Sequence, residues 1–236
     1  MVNELNIPKH IGIIMDGNRR WAERRGLSTQ EGHRAGVKAV KRVVRASGEI
    51  GIDVLTLYTF SLENWRRPKS EVSALMDLLR ITAKRELDEL MENRVKLRVL
   101  GELSDLPFAS RKAMEYAIKK TASNTGLILN LALNYSGKQE ILRATRMIVQ
   151  NCIQGKLSPE EIDENIFENY LYTRGLPAPD LIIRTAGEMR LSNFLLWQSA
   201  YAEFYVTPVL WPDFDKDELI KALQDYSQRE RRFGGR

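Results

Sequence analysis

The run Ile13-Ile14-Met15-Asp16-Gly17-Asn18-Arg19-Arg20-Trp21 constrains this chain most, because apolar residues break abruptly into a carboxylate, a glycine, an amide and two arginines. It reads as a buried strand that delivers polar groups at its carboxyl end. In open parallel sheets, ligands bind in the crevice beyond those strand ends. Asp16 can hold a divalent cation, Gly17 lets backbone approach an anion, and Arg19 and Arg20 can donate to phosphate.

The pattern recurs. The run 54–60 ends in Ser61, Glu63, Asn64, Trp65, Arg66 and Arg67; 127–133 ends in Asn134-Tyr135-Ser136-Gly137; 181–183 runs into Arg184-Thr185-Ala186-Gly187-Glu188, then Arg190, Ser192 and Asn193. Strand ends rich in Arg, Asn and Ser suit a phosphate-bearing ligand with a metal ion. Strands are expected at 11–15, 54–60, 95–100, 127–133, 181–184 and 203–206. The segments between most of them have helical periodicity, the alternation of parallel βαβ units. Helices are expected at 31–50, 70–93, 108–122, 137–154, 159–172 and 215–231. The helix over 70–93 carries a wide apolar face, which packs on a core or lines a greasy cavity. The fold class is therefore α/β: one domain over 1–236, with a mostly parallel sheet of about six strands and flanking helices.

Composition narrows the ligand. Lys plus Arg total 36 against 31 Asp plus Glu, a net charge of +5, so acidic ligands, anionic lipid and nucleic acid all fit the surface. One cysteine, Cys152, permits no intramolecular disulfide, and the first residues lack a basic then apolar leader pattern; a cytoplasmic home follows as the expectation. No apolar run approaches the ~20 residues that span a bilayer, so any membrane contact is expected to be peripheral. The chain lacks G-x-G-x-x-G and a P-loop, and two histidines with one cysteine make a thiolate or multi-histidine zinc site implausible. Asp213, Asp215 and Asp217 mimic a calcium loop, but Glu218 stands where the turn needs glycine; acids in a helix first turn explain them better.

Several site candidates have ordinary alternatives. His33, near the start of the basic helix, can donate to an anion at that helix terminus or simply cap it. Trp197 and Trp211 read as core aromatics, whereas Trp65, between Glu63-Asn64 and two arginines, shapes a ligand or packs. Arg184 and Arg190, with Ser192-Asn193 opening a new helical segment, make a diphosphate cradle. The basic run Lys38, Lys41, Arg42 and Arg45 supports a rival reading, a non-enzymatic phosphate or nucleic-acid binding module, but it is more simply a solvated face and leaves Asp16, Glu63 and Glu203 unexplained.

Together the blocks HIGIIMDGNRRWA, EGHRAG, LTLYTFSLENWRRP, LNLALNYSG, DLIIRTAGEMRLSNFLLWQSAYAE, VLWPDF and RERRFGG resemble the cis-prenyltransferase family of the undecaprenyl diphosphate synthase type, across essentially the whole chain. The resemblance implies a single Rossmann-like domain with an apolar tunnel beside the sheet, and a homodimer that condenses isopentenyl diphosphate onto an allylic diphosphate, farnesyl diphosphate in the expected case, without nucleic acid as a partner. The implied product is a long cis-polyprenyl diphosphate, undecaprenyl diphosphate being favoured as a cell-wall lipid carrier and a shorter chain remaining open. Carried over by position, Asp16 and Asn64 are catalytic, and magnesium sits on Asp16 with help from Glu203. Substrate falls to Gly17, Asn18, Arg19, Arg20, Trp21, Arg24, His33, Ser61, Glu63, Trp65, Arg67, Arg184, Arg190 and Ser192. Arg232 and Gly234 match a C-terminal R-x-G that reaches a partner subunit's site. Tunnel-floor candidates are the apolar positions of 75–91, Leu100 and Leu131.

The chain departs from the family pattern at three places. Thr29 replaces an arginine, which shifts allylic diphosphate binding toward Arg19, Arg20 or Arg24. Ala186 replaces the first glycine of R-T-G-G-E, and Ser136 the first glycine after Asn-Tyr; both are small and expected to be tolerated.

Overall fold

The computed structural model describes residues 5–231. Six strands form one wholly parallel sheet: β1 His10–Ile14, β2 Val54–Ser61, β3 Lys96–Leu100, β4 Ile128–Tyr135, β5 Leu181–Arg184 and β6 Glu203–Val206, in spatial order β3-β4-β2-β1-β5-β6. The inner strands are near-continuous apolar runs because helices and loops cover both faces. The order reverses at β1, which pairs with β2 on one side and β5 on the other, so the crevice at a topological switch point opens directly beyond Ile14.

Among the described residues eight α-helices pack around the sheet: α1 Asn18–Glu23, α2 Thr29–Ile50, α3 Lys69–Arg85, α4 Leu87–Glu92, α5 Phe108–Thr121, α6 Gly137–Ile153, α7 Glu164–Glu168 and α8 Lys216–Ser227. Ser28 and Glu31 form a capping box that starts α2, and Gly51 at φ +91° ends it. Gly32 and Gly36 explain the E-G-H-R-A-G string: a Cβ on either would come within 2.3 Å of Asn18, so both glycines are needed for α1 to lie against α2. The main core joins α2, α3, α5 and α8 to one sheet face. A smaller cluster of Ile14, Leu100, Ala132, Tyr135, Ile182, Phe194 and Leu195 covers the other.

Three expected helices are altered. The helix over 70–93 is interrupted at Glu86, whose backbone sits at φ −90°, ψ 0°, leaving α3 and α4 as separate rods. The segment 159–172 carries only a short 3₁₀ turn and α7. Asp163 caps Ile166 at 2.7 Å and starts α7 late. Beyond it, Arg143 holds the Tyr170 carbonyl and Glu140 the Tyr172 N–H, which diverts the backbone from helical bonding. The last helix ends at Ser227 rather than 231, and its Asp215 accepts from the N–H groups of Asp217 and Glu218, as first-turn acids should.

Candidate active site

Asp16 follows β1 and is held from beneath. Its N–H donates to Thr185 Oγ1 (2.9 Å), the same hydroxyl donates to its carbonyl (2.6 Å), and the Trp211 N–H also reaches that carbonyl (3.0 Å). Gly17 then turns the chain at φ +107°, where a Cβ would strike Leu210 at 2.9 Å. The carboxylate, still partly exposed, is ringed by guanidinium groups: Arg184 at 2.9 Å, Arg20 at 3.4 Å and Arg190 at 4.0 Å. Arg184 is 5% exposed and grips Ser192 Oγ at 2.8 Å and the Arg190 carbonyl, so one buried cation shapes the whole 184–192 loop. Arg20 reaches across to the Ala186 carbonyl and to Glu188.

The opposite wall is the turn after β2. The Ser61 N–H donates to Asn64 Oδ1 at 3.0 Å, and Glu63 accepts from Asn193 at 2.8 Å. Burial works against the charge on Glu63, but hydrogen bonds, chiefly from its own N–H and Asn193, outweigh it and hold the carboxyl below its ordinary pKa. Asn193 also donates to Ser136 Oγ and accepts from the Lys138 N–H, knitting this wall to the start of α6. Ser136, in place of a glycine, thereby gains a role as the α6 cap. His33 faces Glu71 at 3.4 Å, and Arg67 holds the same carboxylate at 2.9 Å. Burial lowers the His33 pKa, with Glu71 opposing.

These groups line a cleft of about 1000 Å³ that gathers Asp16, Gly17, Asn18, Arg19, Arg20, His33, Ser61, Glu63, Asn64, Arg67, Arg184 and Ser192. Arg190 sits at its rim through the Asp16 contact. Beside it, between α2, α3 and strands β3 and β4, runs an apolar corridor of about 410 Å³ lined by Val37, Val40, Val44, Leu79, Leu90, Leu129 and Leu131.

Other candidates lie elsewhere. Trp21 bonds Asp213 at 2.6 Å beneath Arg25, Arg24 is exposed outside the lining, and Trp65 turns away to Asn134 at 2.7 Å and the Phe60 ring. His33 lines the cleft beside Glu71, and at the start of α2 the Ser28 N–H donates to the Glu31 carboxylate. Ser192-Asn193 open no helix: both sit at positive φ (50° and 67°), turned there by Arg184 and the bonds to Asn193. Leu100 points to the other sheet face, away from the corridor.

Glu203 is the clearest correction. It begins β6, pairs with Leu181 and is bound by Arg229 at 2.8 Å, whereas Val206 pairs with Arg184 and so shares the row of Ile14; three residues of strand, roughly 10 Å, separate Glu203 from that row, and Asp16 lies two residues beyond it. Within one protomer it does not meet Asp16 at a shared ion. Arg232 and Gly234 lie outside the described residues. Thr185 and Lys138 were not anticipated. Thr185 is visible only once the register of β1 and β5 is known, and Lys138 lines the cleft directly after the Ser136-Gly137 strand-end signal, with no ion pair among the described residues.

A charged cleft beside an apolar corridor on a parallel α/β scaffold suits an enzyme of amphiphilic anions. A family model described as "Putative undecaprenyl diphosphate synthase" matches residues 14–234. Isoprenyl transferases of Clostridium perfringens and Heliobacterium mobile are 52% and 54% identical over 98% and 97% of this chain and 92% and 88% of their own. Lavandulyl diphosphate synthase from Lavandula x intermedia, solved in complex with dimethylallyl diphosphate, superposes with a TM-score of 0.94 at 40% identity, covering 96% of this chain and 98% of that one. A probable undecaprenyl diphosphate synthase from Campylobacter jejuni gives 0.80 at 35%, covering 98% and 100%. The chain belongs to the undecaprenyl diphosphate synthase family of cis-prenyltransferases, enzymes of isoprenoid biosynthesis that elongate prenyl chains.

Proposed function

We propose that this protein condenses isopentenyl diphosphate units onto an allylic diphosphate, farnesyl diphosphate by preference, to build a long cis-polyprenyl diphosphate of the undecaprenyl class. The observation that carries the reading is an arginine-ringed carboxylate followed, along the same two helices α2 and α3, by an apolar corridor. The likeness to a synthase solved with dimethylallyl diphosphate supports an allylic diphosphate in the cleft.

Asn18, Arg19 and Arg20 would surround the allylic diphosphate, and Arg184, Arg190 and Ser192 that of isopentenyl diphosphate, with Lys138 as an added cation. Glu63, Asn64 and Arg67 would order the wall between them. No group of three or more His, Cys, Asp and Glu side chains able to hold a metal gathers among the described residues. One carboxylate among arginines fits magnesium, which binds through one or two carboxylates plus substrate phosphates. Asp16 would hold it, and when bound it would neutralise charge on the departing diphosphate. The attraction of Arg20, fixed in advance, strengthens as bond breaking concentrates charge on the allylic diphosphate, and this is the main catalytic lever.

Elongation gains from the corridor. Each buried CH₂ contributes about 0.8 kcal/mol, so an added isoprene unit gains roughly 3 kcal/mol and the growing chain is retained. The modest corridor, about 410 Å³, favours a second reading, a shorter cis-polyprenyl product. No helix among the described residues is long and apolar enough to cross a membrane; a cytoplasmic homodimer with peripheral membrane contact for product release completes the proposal. Farnesyl diphosphate, radiolabelled isopentenyl diphosphate and magnesium, with an EDTA control, test it by product length. Magnesium-dependent long products are expected. No incorporation with farnesyl, geranyl or geranylgeranyl primers overturns it.

A further inference from the structure

The corridor has one wall unlike the rest. Its charged lining comes from Lys41, Arg45 and Glu49 on α2 and from Glu86 and Glu89 at the junction of α3 and α4. Glu49 turns out to Lys216. The other four bond to one another across the gap between the helices: Lys41 to Glu86 at 3.1 Å and to Glu89, and Arg45 to Glu89 at 2.7 Å.

Position along the helices gives this cluster its meaning. On α2 the cleft ends at His33, so at 1.5 Å per residue Lys41 and Arg45 lie about 12 and 18 Å farther along the corridor. On α3 the cleft ends at Leu75 and the corridor starts at Leu79. The far end is apolar, closed by Leu90, Val95, Leu97, Met114 and Leu127. Lys41, Arg45 and Glu86 also line a surface groove on the outer side, so the ion pairs are a thin partition between corridor and solvent. Glu86 and Glu89 stand three residues apart, on one face of the turn that opens α4, and so reach Lys41 together. Hydrogen bonds from Lys41, then Arg45, hold Glu89 ionised, and Glu86 keeps its charge against burial through Arg85 and Lys41.

We infer that the Lys41–Arg45–Glu86–Glu89 cluster is a side gate that sets product length: while it stays closed the chain stops growing when the corridor fills, and when it opens the chain passes out between α2 and α4. Ion pairs suit such a gate because they close the wall without apolar packing and part without leaving a cavity. The inference rests on the elongation reading proposed above.

The test is the double variant E86Q/E89Q assayed beside the unmodified enzyme. The main product is expected to lengthen by at least two isoprene units, with the rate of the first condensation within twofold. Raising KCl from about 0.05 to 1 M is expected to lengthen the unmodified enzyme's product but not the variant's, since salt screens exposed pairs; a purely structural role predicts no such difference. An unchanged or shorter ladder in the variant, from an enzyme that elongates normally, overturns the gate. If the unmodified enzyme makes no product, the elongation reading fails, and the gate is judged by the entry rate of 1-anilinonaphthalene-8-sulfonate, with Ala83→Trp as the blocked control. Entry several-fold faster into E86Q/E89Q supports the gate; equal entry overturns it.

Discussion

The cleft and the corridor share α2 and α3 as walls but are built in opposite ways. The cleft is made of loops held in uncommon backbone shapes: Ala186, Ser192, Asn193 and Leu195, none of them glycine, take positive φ of 71°, 50°, 67° and 43° at or beside it. Most corridor residues lie on regular helices and strands, and a single positive φ outside glycine, Arg94 at 53°, stands beside its described lining. Backbone strain persists where surrounding contacts over-determine it, as at sites that must hold charge in a fixed pattern. A hydrocarbon chain asks only for apolar volume, which regular packing provides. The difference separates two tasks: irregular backbone fixes the reacting charges, and regular backbone sets how much chain is accommodated.

The largest effect should come from the centre of the cleft. Asp16→Ala should lower turnover by about 10²–10³-fold or more, the scale of losing one preorganised group at developing charge, while affinity for the allylic diphosphate changes far less. Single-turnover rates and equilibrium binding of an unreactive allylic diphosphate analogue separate the two terms. Near-normal turnover would break the division of labour at its centre.

Acid stability should depend on the core beneath both regions. His10 is wholly buried; its Nδ1–H donates to the Pro177 carbonyl, and Nε2 accepts from Thr56, which accepts from Asn130. Burial pulls its pKa down to about 4, with the Pro177 bond and Asp180 opposing. Below pH 6.5 the unfolded chain takes a proton that the folded chain refuses. Stability is therefore full above 6.5 and lost as pH falls toward 4, by about 3 kcal/mol. Urea midpoints against pH should show that slope in the native protein and a flatter one in His10→Asn. Equal slopes would move acid sensitivity from the core to the cleft.

These cases also show what the sequence makes legible. Buried parallel strands announce themselves as apolar runs, so six strands and the site at their carboxyl ends were readable to within a residue or two. The glycines of E-G-H-R-A-G were visible as a motif, but their reason, contact with Asn18, needs the docked α1. The break at Glu86 and the left-handed turn at 192–195 escaped because no local residue demands them; the turn is held by Arg184 and by the bonds of Asn193 to Lys138 and Glu63, which only the fold brings together. Glu203 misled for a similar reason. Its place at the start of a strand over 203–206 was legible, but the register of that strand against β5, which sets it away from Arg184, was not.

Lys138 sharpens the cleft side of the comparison. Its backbone is fixed by Asn193 while its ammonium has no ion pair among the described residues, so it is poised for an incoming anion. A hydrogen bond to a charged group contributes about 1.5–3 kcal/mol, and exposure reduces that. Lys138→Met should raise the KM for isopentenyl diphosphate about tenfold, leave that for the allylic primer within twofold and be largely rescued by Lys138→Arg. Equal changes in both KM values would assign Lys138 to the general field of the cleft.

Ala186 tests the strain itself. It stands at φ +71° where the family pattern has glycine, and it cannot relax, because its N–H is held by the Val209 carbonyl at 2.8 Å and its own carbonyl receives Arg20 at 3.1 Å. A left-handed backbone costs a residue with a Cβ roughly 1–2 kcal/mol. Glycine removes that cost but loosens the unfolded chain, an opposing term of about 0.4–1 kcal/mol. Ala186→Gly should therefore stabilise the fold by up to about 1 kcal/mol, read as a higher urea midpoint at unchanged slope. Turnover should hold within about twofold, since Arg20 keeps its carbonyl partner. A lower midpoint would mean that the backbone at 186 is unstrained, and that the cleft differs from the corridor in charge alone.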